Sequence, residues 1–257
     1  MTIAEQMRRD WDERARKDPF RYIYSDVPTG SAEAFFASGE ADYLRFVEPV
    51  FRQLEFDPAG RTVVELGCGV GRMTRSFARR FRGVYAIDIS PEMLRQGREL
   101  HPEDARIVWL LGDGQGLGMV ADAAVDFAFS FIVLQHMPKP EISLGYVTEL
   151  LRVLRPGGVF CFQFNNRTAP TMNWKGRMVW RFFDRLREPV LGIPLQAPAA
   201  KLAAKLGLDP LHAGRTWHGA VLETSALLET VRRAHGTVSG LSGEGTGTAW
   251  CFGRRTK

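Results

Sequence analysis

Glu65-Leu66-Gly67-Cys68-Gly69-Val70-Gly71 sets three glycines at alternate positions, giving a backbone that turns sharply and admits a ligand closely, because no Cβ stands in the way. The run follows a strand-like apolar stretch and opens a helical pattern, the setting in which a glycine loop binds a nucleotide. Two common nucleotides do not fit it. A dinucleotide loop G-x-G-x-x-G needs glycine at position 72 or 74, where Arg72 and Thr74 stand, and the Gly-Lys-Ser/Thr ending of a triphosphate loop is absent. Glu65 would repel a pyrophosphate but attract an ammonium or a sulfonium. Asp88, 17 residues beyond Gly71, stands where an acidic group accepts both hydroxyls of a ribose. Asp113 and Gly114 follow the next strand, and a carboxylate there accepts a hydrogen bond from an adenine amino group. His136, in Val133-Leu134-Gln135-His136-Met137-Pro138, is of the type that removes a proton from a hydroxyl. Plainer uses compete with each: a tight turn for the glycines, a helix cap at Ser90-Pro91 for Asp88, a loop start for Asp113, a loop or helix cap for His136.

These residues need a scaffold that brings strand ends together. From Arg61 onward, short apolar runs alternate with amphipathic helices, the sequence form of βαβ units and a parallel sheet. Strands are expected at 62–66, 84–88, 107–111, 125–131 and 159–164, with helices at 71–80, 91–99 and 145–154. Pro156 and the glycines of RVLRPGG stop the last helix and turn the chain back. Ligands of such sheets bind outside the carboxyl ends of the strands, which is where the loop, both aspartates and His136 fall. Before this core, Ile3, Met7 and Trp11 share one helix face, and Tyr43, Phe46, Val47, Val50, Phe51 and Leu54 form a stripe on a second helical stretch, 38–56. After Asn165 the alternation stops until a helix at 225–235, capped by Ser225, and two closing strands.

The ordered set VVELGCGVGR, AIDIS, LLGDG, FSFIVLQHMP and RVLRPGG resembles the class I S-adenosylmethionine (SAM)-dependent methyltransferases of the type 11/25-like group. The likeness is close over 58–165 and looser over the last thirty residues. It implies an α/β, doubly wound, Rossmann-like sheet of seven mostly parallel strands, the last one antiparallel. It implies SAM as cofactor and S-adenosylhomocysteine (SAH) as product. By position it assigns Glu65, Gly67, Cys68, Gly69 and Gly71 to the methionine moiety, with Arg72 beside them. Asp88 and Ile89 go to the ribose and adenine edge, Met93 to the same wall, Asp113 and Gly114 to the adenine, and Ser130 and Phe131 to the floor beneath the sulfonium.

The division expected is an N-terminal helical lid at 1–57, a SAM-binding core at 58–165, a helical, substrate-side insertion at 166–220, and a closing helix and strands at 221–257. His136 is the expected general base, and Asn165, Trp217 and His218 are candidate acceptor contacts. In the insertion, Trp174, Met178, Phe182 and Leu186 make an apolar stripe beside Arg177, Arg181 and Arg185, suited to an acidic or lipid-like acceptor, to a dimer face, or to plain solvation. Five histidines without HxH or HxxxH spacing give no metal site.

The 257 residues are 45% hydrophobic and carry a net charge of +5, ordinary for a soluble protein and too modest to demand a nucleic acid. No window approaches the roughly 18 apolar residues of a membrane span. The N-terminal stretch lacks a signal-peptide core, and three scattered cysteines suit a reducing cytoplasm. Three functions stay open: methyl transfer to a small molecule, most readily a sugar or metabolite hydroxyl; an N- or RNA methyltransferase; and SAM binding without catalysis.

Overall fold

The computed structural model describes residues 1–24, 31–102, 104–167 and 215–257, apart from the side chains of Arg215 and His218. Seven strands form one sheet: β1 (Thr62–Leu66), β2 (Gly83–Asp88), β3 (Ile107–Leu111), β4 (Val125–Ser130), β5 (Leu154–Phe164), β6 (Gly236–Ser242) and β7 (Ala249–Arg255). Their spatial order is β3-β2-β1-β4-β5-β7-β6. The first five are parallel, and β7 pairs antiparallel with both β5 and β6. The order reverses at β1, so the β1 and β4 ends flank the crevice where open α/β sheets bind ligands. All five residues of β1 and all six of β4 are buried, as strands covered on both faces require.

Helices α1 (Ile3–Lys17), α2 (Pro19–Ile23), α3 (Ala32–Asp42) and α4 (Glu48–Gln53) precede the sheet, and α5 (Thr74–Ala78), α6 (Pro91–Leu100) and α7 (Pro140–Val153) connect its strands. A single helical turn, Arg215–His218, and α8 (Thr224–Arg233) follow β5. The expected bounds shift where local chemistry intervenes. Gly71 has φ +92°, so α5 begins at Thr74 and not at 71. Pro140, lacking an N–H that the first turn would leave unpaired, starts α7 five residues earlier than expected. The helix does stop before Pro156, but β5 already begins at Leu154, paired with Val125. Glu223 and not Ser225 stands at the cap of α8, without a side-chain bond. The 38–56 stripe is one buried face, interrupted by a π-helical turn at Tyr43–Val47. The arginine-aromatic stripe of 173–187 lies outside the described residues. Among the described residues no helix is long and apolar enough to cross a membrane.

Candidate active site

The glycine loop leaves β1 under Ile87, whose carbonyl accepts both the Gly67 N–H (2.7 Å) and the Cys68 N–H (3.0 Å). At Gly67 (φ +73°) a Cβ would collide with Val133, and at Gly69 (φ +55°) it would lie 2.5 Å from Ile23 Cδ1, so conformation and space both demand glycine. The Asp88 carboxylate closes the loop from the side: Oδ2 accepts from the Gly69 N–H and Oδ1 from the Ser90 N–H, both at 2.9 Å. These bonds leave further lone pairs on each oxygen. Burial raises Asp88 to about 6 and the neighbouring loop amides pull it back. Glu65 is buried at the end of β1, accepts from Thr74 Oγ1 at 2.5 Å, and is pushed by burial to about 8. The charge of Arg72 acts on this carboxylate but is itself paired with Asp42, and a cationic ligand would add a partner of its own. Cys68 is buried and its thiol is pushed well up, first by burial and then by Asp88 and Glu65, so it stays a thiol.

One cavity gathers Glu65, Gly67, Cys68, Gly69, Arg72, Asp88, Ile89, Met93, Phe131 and His136 from the expected set, and adds Gly112, Ile132, Val133 and Tyr146. Four of the expected cofactor residues do not line it. Gly71 is covered by His101 and Trp109 and serves the turn. The Asp113 carboxylate is exposed and turns Oδ1 to its own loop, accepting from the Gln115 N–H (2.7 Å) and the Gly116 N–H (3.0 Å). Gly114 lies beneath Ala4 of α1. Ser130 is fully buried and donates to the Leu66 carbonyl at 3.3 Å, tying β4 to β1 below the cavity.

The N-terminal helices roof this cavity. Met7 and Trp11 of α1 and Tyr22 and Ile23 of α2 face into it, whereas Ile3 packs on the core beside it. Several polar ties hold α1 down, among them a bond from Gln96 to the Ala15 carbonyl (3.0 Å). Arg8 donates to the Gly112 carbonyl (3.2 Å), and Asp12 accepts from Ser90 Oγ and from the Glu92 N–H. Buried Thr216 donates to Asp10 (2.8 Å) and accepts from Arg14 (3.3 Å). Sequence patterning carries no sign of this last tie, which joins residues about two hundred positions apart.

His136 is buried and lines both that cavity and a second one. Its ring lies edge-on to Trp11 (5.4 Å) and tilted over Trp217 (5.2 Å). Nδ1 meets the Trp217 carbonyl at 2.5 Å, and Gln135 Nε2 lies 3.2 Å from Nε2. A carbonyl only accepts, so Nδ1 carries the proton and Nε2 keeps a lone pair in the neutral ring. The second cavity has Tyr24, Phe46, Phe131, Trp217 and Trp250 for walls, with Arg45, Arg167 and Asn165 also lining it. Asp42 borders it too but is engaged by buried Arg72 at 2.7 Å. Among the described residues no cluster of ligating side chains could hold a metal ion.

Residues 64–162, which supply this floor and its loops, match the family model described as a methyltransferase domain. The chain is similar to the 2-methyl-6-phytyl-1,4-hydroquinone methyltransferase of Synechocystis, 30% identical over 171 residues, or 65% of this chain and 51% of that protein. It is also similar to the malonyl-[acyl-carrier protein] O-methyltransferase of Pectobacterium atrosepticum, 39% identical over 113 residues, 43% of this chain and 42% of the relative. The chain thus spans about half the length of these relatives. In fold, it resembles the magnesium protoporphyrin IX methyltransferase of Synechocystis with bound SAH, at TM-score 0.61 and 16% identity over 99% of this chain and all of the other. The matched stretch therefore holds most of β1 to β5, the glycine loop and His136, while β6, β7, the roof and the Trp217 wall lie outside it.

Proposed function

We propose that the protein is a SAM-dependent methyltransferase whose acceptor is a small molecule, methylated at a hydroxyl oxygen. The observation that carries this is that His136 lines both a cavity built on the glycine loop, Glu65 and Asp88 and a second, aromatic-walled one. Bound SAM would supply the methyl group already activated. Glu65 and the loop would hold the methionine end and Asp88 the ribose, while Phe131 would separate the two cavities. His136 would take the acceptor's proton at Nε2, and α1 would exclude water. The aromatic walls with Arg45 and Arg167 suit an acceptor with an apolar or ring body and an acidic group. Relatives named for a hydroquinone and for a malonyl-[acyl-carrier protein] keep both features in view.

Methyl-labelled SAM incubated with hydroxylated aromatic acids, sugars, amines and bulk tRNA tests this directly. Label in the aromatic acids with SAH formation supports the reading; label only in tRNA or amines replaces the acceptor. One observation favours SAM binding without turnover: both ring nitrogens of His136 are engaged within the protein. SAH formation with any acceptor eliminates that alternative.

Two results are expected of the cofactor half. With Glu65 at about 8 in the free protein, most copies are protonated at pH 7. A cation binding beside it favours the carboxylate, so binding releases the proton, and affinity rises with pH until Glu65 is ionised near 8. Calorimetry of SAM binding at pH 7 in two buffers of different ionisation enthalpy should show release approaching one proton, abolished in Glu65→Gln. Equal heats in the two buffers would mean the cationic end lies elsewhere.

The division proposed is a lid at 1–57, a core at 58–165, a substrate-side segment at 166–220 and a closing unit at 221–257. Deleting residues 1–24 removes Met7, Trp11, Tyr22 and Ile23 from the cavity wall. SAM affinity should fall by about tenfold or more, the value of one or two lost contacts, while the circular dichroism of the sheet persists. Unchanged affinity would reduce these helices to packing.

A further inference from the structure

Gln163 is fully buried in β5, between Phe162 and Phe164 of the hydrophobic core. An amide in such a place is costly unless every group is bonded, and here every bond runs to loops at the site end of the sheet or to its own strand. Oε1 accepts from the Ile132 N–H at 3.0 Å. Nε2 lies 2.8 Å from the Gly247 carbonyl, 2.9 Å from Gln135 Oε1 and 3.0 Å from the Phe164 carbonyl.

Ile132 is itself unusual. It has φ +57°, the left-handed region that a β-branched residue avoids, and it sits between the floor residue Phe131 and the turn carrying His136. Strain of this kind persists only where surrounding bonds over-determine it. Gln163 supplies one such bond, reaching across from the neighbouring strand.

The polarity of the chain of bonds follows from its ends. The Ile132 N–H can only donate, and the Gly247 and Trp217 carbonyls can only accept. Gln163 must therefore present its oxygen to Ile132 and its nitrogen to the other side, where two N–H hydrogens are shared among the Gly247, Gln135 and Phe164 oxygens. Gln135 in turn presents its nitrogen to His136 Nε2, 3.2 Å away. His136 must then hold a lone pair at Nε2 and its proton at Nδ1, facing the Trp217 carbonyl. The orientation does not depend on which amide atom is labelled nitrogen, since backbone groups fix both ends.

We propose that Gln163 is a positioning residue: it holds the strained Ile132–Gln135 turn and directs the Gln135 amide at His136 Nε2. This rests on the reading of His136 as the acceptor-side base, but its test needs no acceptor. Nitrogen-15 NMR of the SAH-bound protein reads the His136 ring, and hydrogen exchange reads the Ile132 amide, in wild type, Gln163→Met and Gln163→Glu. In wild type His136 is the Nδ1–H form with a bonded Nε2, and Ile132 exchanges slowly. Gln163→Met should speed Ile132 exchange by about tenfold or more, as for one lost bond, and shift the Nε2 resonance, with SAH affinity held within about threefold. Gln163→Glu keeps an oxygen for Ile132 and should preserve its protection, yet still shift Nε2 because Gln135 loses its donor.

An Nε2 resonance unmoved in both variants would overturn the proposal. So would failure of both variants to fold, which would make Gln163 a core residue only. If Gln163→Met alone fails to fold, the Gln163→Glu spectrum decides. Absence of methyl transfer would leave all these signals as they are, so the two readings fall separately.

Discussion

Asp88→Ala is expected to weaken SAM binding by about a hundredfold or more, with Asp113→Ala staying within a few-fold of wild type. A charge-assisted hydrogen bond is worth roughly 1.5–3 kcal/mol, and Asp88 stands to make two to a ribose. It also anchors the Gly69 and Ser90 amides, so its removal slackens the glycine loop at the same time. Both losses act in one direction. Asp113 is expected to offer neither, because it does not line the cavity and its Oδ1 bonds the Gln115 and Gly116 amides of its own loop. Asp88→Asn separates the two contributions, since its side-chain oxygen still accepts from one loop amide. With Asp88 raised to about 6, wild-type affinity should also decline as pH falls through that value, where the carboxylate is lost. Calorimetric titration of the three variants decides it. Equal losses for Asp88→Ala and Asp113→Ala would move the ribose away from the β2 end.

The contrast between these aspartates marks what a sequence can carry. Asp88 was legible because strand ends converge at the switch point of an open sheet, and a strand such as Thr62–Leu66 announces itself by continuous apolar residues. Asp113 follows the end of β3, yet a short carboxylate bonds just as well to the backbone amides two and three residues on, and that local competition leaves no trace in spacing. Helix starts were lost in the same way: Gly71 delays α5 and Pro140 advances α7, each a single-residue effect inside an otherwise periodic run.

Long-range ties were illegible for a different reason. A lone glutamine in Val159-Phe160-Cys161-Phe162-Gln163-Phe164 breaks an apolar run without saying what it bonds, because its partners Ile132, Gln135 and Gly247 come from other loops. The Asp10–Thr216–Arg14 tie likewise exists only once α1 has folded over the sheet. The roof was readable as a helix from Ile3, Met7 and Trp11. That Met7 and Trp11 face the cavity while Ile3 joins the core depends on where α1 docks, which periodicity does not encode.

His136→Ala should lower turnover by about 10²- to 10⁴-fold, the usual worth of a positioned general base, with whichever hydroxyl acceptor gives the most SAH. The bonds around the ring make its Nε2 the only nitrogen able to accept a proton, because Nδ1 already gives its own to the Trp217 carbonyl. Trp11 and Trp217 flank the ring, so it needs no reorientation before it acts. Gln135 occupies Nε2 in the resting protein and lines the acceptor-side cavity itself, so an acceptor hydroxyl would displace its amide. SAM affinity should move no more than a few-fold, since the bonds proposed to hold SAM come from the loop, Glu65 and Asp88. The wild-type rate should rise with pH through an ionisation that the His136→Ala profile lacks. His136→Gln controls for packing: its side-chain nitrogen can still donate to the Trp217 carbonyl, but it supplies no base, and it should be as slow as alanine. A variant that kept most of its rate and the same pH profile would show that the acceptor needs no base, as a carboxylate or an amine would not.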